Sequence, residues 1–362
     1  MVRLLLLALC LGNRQEGDVD RIMLRLTQRR EKVQSQAEFV RLLTETRAAL
    51  ESYLKDHPQA ADADRAMFHV AETYLWSADY PSALAKLRSV LEGYPEGEEA
   101  PTAAFLIGQV LLREDDLSKA RSALEDFVRR YPKDDRVLLA RSLIAVTYQN
   151  EQKYDEAEKL LLAVRETFKD RKESWSALLQ LAVVYHLEEK NEDAHRVLTQ
   201  VVSECPDRSM TAMARKELDL YAKAGSAAKP FSGSDLSGNV YSLAKARGKV
   251  LVLYFFDAAA PAAPQEVQFL KRAQKSFAGQ PLDICGVSLN VDRGDVMSFK
   301  DLQAIPWPIL FDGRGLDGTL AKLLDVRGLP SLTVIDKAGN MRFFNIAGKD
   351  LENVVMRLLN ER

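Results

Sequence analysis

Thiols and imidazoles are the side chains here that could do redox or metal chemistry, and their spacing favours neither. The 362-residue chain has three cysteines and four histidines. Cys10, Cys205 and Cys285 fall in three separate segments, and no C-x-x-C occurs. Thiol exchange needs a thiolate nucleophile and a second sulfur within reach. The histidines have no cysteine neighbours at zinc-ligand spacing, so neither a metal nor a cofactor is expected. Cys205 ends a predicted helix. Cys285 lies in an apolar strand and is expected to be a small buried residue. His69, His186 and His195 read as ordinary helix residues. Gly313-Arg314-Gly315-Leu316-Asp317-Gly318 fits the dinucleotide fingerprint G-x-G-x-x-G, with Asp336 downstream. The competing reading is a glycine-rich loop.

Composition narrows the classes further. The net charge is -2, with 28% charged and 47% hydrophobic residues, which is ordinary for a globular chain of two or three domains. No basic block alternates with aromatics, so nucleic acid is not an expected partner. Residues 1–12, with Arg3 followed by the apolar run Leu4 to Leu11, are expected to be a short signal segment. Periplasmic or cell-envelope export follows from that, with the cytoplasm as the alternative. Leu7-Ala8-Leu9-Cys10 fits a lipoprotein box poorly. No other stretch approaches the roughly 18 apolar residues of a membrane span.

The elements that must carry any binding show a strong internal period. His57-Pro58, Tyr94-Pro95, Tyr131-Pro132, Phe168-Lys169 and Cys205-Pro206 follow one another at steps of 37 residues. Ala83, Ala120, Ala157 and Ala194 keep that step, as do Leu87, Leu124, Leu161 and Leu198. A third column is Ala71, Gly108, Ala145 and Ala182, and a fourth is Tyr74, Leu111, Tyr148 and Tyr185. Small residues let a partner helix approach, and the aromatic one turn on shares their face. These columns resemble the tetratricopeptide repeat. The resemblance implies an all-α solenoid over residues 19–224, whose first helices line an inner groove. Register assigns Phe68, Glu72, Leu75 and Trp76 to that groove, then Phe105, Gln109, Leu112 and Arg113. Ser142, Val146, Gln149 and Asn150 follow, then Leu179, Val183, His186 and Leu187. An apolar inner face suggests a protein or peptide partner. The alternative is that neighbouring parts of the chain cover it.

Residues 225–229 read as a small, flexible linker. Beyond it, residues 230–362 alternate strands and helices and close on a hairpin and a helix, an α/β pattern. Leu253-Tyr254-Phe255-Phe256-Asp257-Ala258-Ala259-Ala260-Pro261-Ala262-Ala263-Pro264-Gln265-Glu266 resembles the first strand and redox turn of thioredoxin-like domains of the TlpA and AhpC/TSA type. Val326-Arg327-Gly328-Leu329-Pro330-Ser331 resembles their later loop. The resemblance implies that Pro330 is a cis-proline facing the redox motif. It also puts Ala260 and Ala263 where redox-active members carry cysteines. Glu266 keeps the family's glutamate position and reads as a helix-dipole partner. A peroxiredoxin's Thr-x-x-Cys is missing from the end of this strand.

The expected chain is multidomain, an all-α repeat solenoid followed by an α/β thioredoxin-like domain. The expected role is a non-catalytic protein-binding adaptor of the bacterial envelope, of open oligomeric state. Its rival is a thiol-disulfide oxidoreductase or antioxidant protein using Cys205 or Cys285. A third reading has the C-terminal domain merely capping the solenoid.

Overall fold

A computed structural model describes residues 17–324, 326, 329, 331–346 and 348–361. The expected signal segment, Cys10 and Pro330 lie outside the described residues. The chain divides into two compact units, up to Leu160 and from Leu161 onward.

The first unit is helical. It holds α1 (Asp18–Arg30), α2 (Gln36–Asp56), α3 (Ala63–Trp76), α4 (Tyr80–Gly93), α5 (Ala100–Arg113), α6 (Leu117–Arg130) and α7 (Val137–Asn150). The unit boundary falls inside α8 (Tyr154–Thr167). The repeat columns are its core: Ala71, Ala83, Leu87, Ala120 and Leu124 are fully buried. Gly108 shows why its column is small, because a Cβ there would stand 2.5 Å from Leu124 Cγ. Thr73 and Thr147 are buried and return their hydroxyls to Val70 and Ile144 carbonyls at 2.7 Å. Each also accepts an arginine Nε–H, from Arg47 at 3.0 Å and Arg121 at 2.9 Å. Those arginines lie over Tyr74 and Tyr148. This clasp recurs every second repeat.

A further column escaped the sequence reading. Ala78, Asp115, Gln152 and Glu189 all have positive φ, between 58° and 63°. Each ends the first helix of its pair, and the next residue's N–H returns to a carbonyl five residues back, as in Asp79 to Tyr74 at 3.0 Å and Lys190 to Tyr185 at 2.8 Å. That is a Schellman closure, which favours glycine.

The second unit contains the remaining helices α9 (Trp175–Leu187), α10 (Asn191–Glu204) and α11 (Arg208–Tyr221), and then the α/β domain. The hairpin β1 (Ser232–Ser234) and β2 (Val240–Ser242) comes first. Then follow β3 (Val250–Phe256), α12 (Ala263–Ser276), β4 (Leu282–Ser288), α13 (Arg293–Leu302) and β5 (Ile309–Leu310). The domain closes with α14 (Thr319–Leu323), β6 (Ser331–Ile335), β7 (Met341–Phe344) and α15 (Leu351–Asn360). The main sheet runs β5-β4-β3-β6-β7, with β3 parallel to β4 and antiparallel to β6. Every β3 residue is buried, which matches its unbroken apolar run.

Residues 225–229, expected as a flexible linker, are instead tied to the sheet. Gly225 N–H donates to Met341 O at 2.7 Å, Met341 N–H to Ser226 O at 2.9 Å, and Ala228 N–H to Gly339 O at 2.9 Å. These bonds cover the start of the β7 edge, which would otherwise present unpaired amides. The end of β7 is covered by His186, which was expected to be an ordinary helix or groove residue. It is 1% exposed. Its Nε2 accepts the Phe344 N–H at 3.1 Å, and Nδ1 lies 3.1 Å from Asn191 Oδ1. The ring stacks on Tyr221 at 3.9 Å. Arg342 Nε donates to Glu189 Oε1 at 2.8 Å, so the αL residue of the last pair also carries an ion pair.

The αL column predicts that Ala78→Gly and Gln152→Gly each raise unfolding stability by about 1 kcal/mol, because a β-carbon is strained there. Glu189→Gly is expected to lower stability, because it removes the Arg342 partner. Urea denaturation of the three variants checks both signs.

Candidate functional site

The carboxyl ends of β3 and β4 form the candidate site. The chain leaves β3 at Asp257, and a polar knot fixes its next turn. Asp257 Oδ1 accepts from Ala259 N–H and from Asn290 Nδ2, each at 2.8 Å. Asn290 Oδ1 accepts from Ala258 N–H and Ser288 Oγ, each at 2.9 Å. Both Ser288 and Asn290 are buried. Helix α12 starts at Ala263, two residues after Pro261. Turns at Ala258–Ala259 and Pro261–Ala262 intervene. Ala260 is half-buried before the helix, and Ala263 is buried at its first position. Ala263 N–H donates to Ala260 O at 3.0 Å. Only methyl groups project from these two positions, so they offer neither nucleophile nor base.

Glu266 stands in the first turn of α12, as a dipole partner should, but it does more than that. Burial pushes its carboxyl above the usual carboxylate range, and nearby Asp350 adds to this, while the Gly348 N–H and Lys349 oppose it. A Cβ on Gly348 would overlap the Glu266 carboxylate and Phe269, so glycine is required for this close approach. Beneath it, the Tyr254 hydroxyl donates to Ala263 O at 3.3 Å. Asn290 and Gly348 were both missed from sequence. They lie outside any spaced motif and act only through contacts across the fold.

The thiols are remote from this site chemically. Cys285 sits in β4 opposite Leu253 and is fully buried. Burial pushes its thiol far up, and Asp283 and Asp235 reinforce this. Cys205, at the end of α10, is also free and buried. A thiol shut away from solvent is a poor nucleophile.

The glycine-rich loop folds around its own carboxylate. Asp312 Oδ1 accepts from Arg314 N–H at 3.0 Å and Oδ2 from Thr319 N–H at 3.1 Å. Amides that could cradle a phosphate are thus spent on an aspartate, whose charge would repel one. Ser232, Ser288, Leu310, Asp312 and Thr319 line a cavity of about 160 Å³ beside this loop.

The groove residues separate into two groups. Phe68 and Phe105 are not surface groups: they are 4% and 5% exposed. Phe68 packs with Leu87, Val90, Ala103 and Ile107. The Phe105 ring lies 5.3 Å from Phe127 and 5.8 Å from the Arg136 guanidinium. Each packs against the second helix of its own pair and the start of the next pair. Trp76 is half-buried against the α1–α2 core. Ser142, Gln149 and Leu187 are buried as well. Leu75, Gln109, Leu112, Leu179 and Val183 are half-buried, and Arg113 is exposed beside the Tyr80 ring. Glu72 lies 2.7 Å from His69 Nδ1. Burial raises the nearby Glu99 carboxyl; His69 opposes this, and Glu72, Glu98 and Asp64 add to it. Among the described residues no helix is long and apolar enough to cross a membrane, and no His/Cys/Asp/Glu group could hold a metal ion.

Two findings on Cys285 are expected. Its alkylation in native buffer should proceed only as fast as the domain unfolds. Cys285→Ser should lower stability by about 1–3 kcal/mol through a buried hydroxyl. Mass-resolved labelling and urea titration measure these.

Comparison with known proteins finds a match in each half of the chain. Residues 224–344 match the AhpC/TSA family, and residues 61–220 match the YfiO outer membrane lipoprotein family. The thioredoxin-like protein YneN of Bacillus subtilis is 26% identical over 128 residues, covering 35% of this chain and 72% of that protein. The thioredoxin domain of a Bacteroides vulgatus thiol-disulfide oxidoreductase is 24% identical, with a TM-score of 0.36, covering 38% of this chain and 98% of that one. A DsbE-type thiol:disulfide interchange protein from Chlorobium tepidum is 22% identical, with a TM-score of 0.35 and coverage of 38% and 98%. The chain thus joins an N-terminal helical-repeat region of YfiO type to a C-terminal α/β thioredoxin-like domain of AhpC/TSA type.

Proposed function

We propose that this protein is a non-catalytic, protein-binding adaptor of the bacterial cell envelope. One observation carries the reading. The turn after β3, where thioredoxin-like relatives do thiol chemistry, holds Ala260 and Ala263, while Cys205 and Cys285 are buried elsewhere. A disulfide substrate has no sulfur to attack it there, so what the domain can still offer is shape. The envelope setting rests on the signal segment expected at residues 1–12 and on the outer membrane lipoprotein family matched by the repeats. The partner is a protein or peptide, taken in the first unit by the groove residues Glu72, Leu75, Gln109, Leu112 and Arg113; in the second unit Leu179, Val183 and the cleft beside Ala260 are candidates in their own right. The rival, a thiol-disulfide oxidoreductase, would have to use one of two buried cysteines, Cys205 or Cys285, and burial pushes the Cys285 thiol up.

Purified protein should reduce insulin disulfides no faster than buffer with dithiothreitol. Turnover that disappears in a Cys205→Ser/Cys285→Ser variant would replace this reading with the rival one. The groove is tested with Gln109→Ala/Leu112→Ala/Arg113→Ala, since truncating Phe68 or Phe105 would cost about 3–5 kcal/mol of core packing. Capture from envelope extract should retain a protein on wild type and lose it on the triple variant of equal stability.

A further inference from the structure

The contact between α9 and the end of β7 uses a titratable ring as its only acceptor for a buried amide. His186 Nε2 takes the Phe344 N–H, and the Nδ1 contact with Asn191 Oδ1 requires a proton on Nδ1. This arrangement uses the neutral imidazole and no other form. Protonation would put Nε2–H against Phe344 N–H and leave both donors without an acceptor in a buried position.

The groups facing the ring offer little relief. Asn191 of α10 is neutral and already engaged. On α11, Tyr221 stacks on the ring, and its phenol stays protonated beside Glu217. The Glu217 carboxyl is itself shifted upward by burial. After α9, Glu188 pairs with Lys190 at 2.9 Å. Glu189 is held by Arg342 of β7, with Arg357 of α15 3.7 Å away. Arg342 also binds Asp336 at 3.3 Å and Glu361. The Arg357 guanidinium lies over Phe343 and opposes a second positive charge nearby. Burial is the first cause holding the imidazole down at about 4 from its ordinary 6.5.

We propose that His186 is an acid-released latch: protonation undocks α9 and α11 from β7 while the sheet remains folded. The sign follows from the direction of the shift. A histidine held low in the docked state binds fewer protons there than when undocked. Docking is therefore complete above pH 6.5 and weakens as pH falls towards 4. Release also frees Asn345, at φ 51°, from its contact with Glu217 on α11. Asn345 Oδ1 accepts from Ser331 Oγ at 2.8 Å, at the start of β6, so the opened state reaches the strand next to β3. The inference concerns docking alone and stands or falls independently of any partner.

Hydrogen exchange of the full-length protein at pH 7 and pH 4.5, corrected for intrinsic rates, tests it. Protection of residues 341–344 should fall on the order of 10- to 100-fold, as a histidine shift of this size gives, while residues 250–256 keep theirs. His186→Phe keeps the stack but lacks the acceptor, so its residues 341–344 should exchange fast at both pH values. The proposal is overturned if 341–344 keep full protection at pH 4.5, if they lose it together with 250–256, or if the variant shows the wild-type pH response.

Discussion

One buried imidazole closes the sheet of this protein. Strand β7 is an edge, and edges must be paired, covered or charged. Here the first half is covered by the backbone of residues 225–228 and the second by His186. The arginine of β7 is then spent on Glu189, Asp336 and Glu361. Because these contacts come from α9 and the segment after α11, the last repeat groups with the α/β domain rather than with the preceding helices. The α/β domain gives the last helix pair an apolar neighbour, and the pair gives the sheet an edge cover.

The helical part was legible because its constraint is periodic. A column such as Ala71, Gly108 and Ala145 repeats since each pair of helices must approach to the same distance. The α/β domain was legible because β3 is an unbroken apolar run, buried on both faces. What escaped were features with no period or with a contact far along the chain. Phe68 and Phe105 looked like groove residues by register, but a large side chain at that position packs between its own helix pair and the next and buries itself. His186 shared their apparent face, and only its neighbour in β7, 158 positions away, reveals its role. Asn290 and Gly348 are single residues whose importance lies in one hydrogen bond and one missing Cβ. The αL column could have been read as a repeat, but its members Ala78, Asp115, Gln152 and Glu189 share a backbone angle rather than a side chain.

Function follows from the same balance. The turn after β3 is rigidly specified, with Asp257 and Asn290 satisfying one another and the local amides. A rigid turn at the carboxyl ends of parallel strands is a place where α/β folds receive ligands. Ala260 and Ala263 bring no thiol to this turn. Glu266 remains as a half-buried carboxyl near it, its pKa raised by burial and lowered by the Gly348 N–H.

The seam between the last helices and β7 is the central claim, and two native thiols report on it. Cys205 ends α10 on one side, and Cys285 lies in β4 on the other. Pulse alkylation across a urea series, resolved by peptide, measures when each becomes reactive. The account predicts one shared midpoint for the urea-dependent exposure of both. Exposure of Cys205 at a distinctly lower urea concentration, with Cys285 still protected, would show that the last helices and the sheet do not fold as one unit.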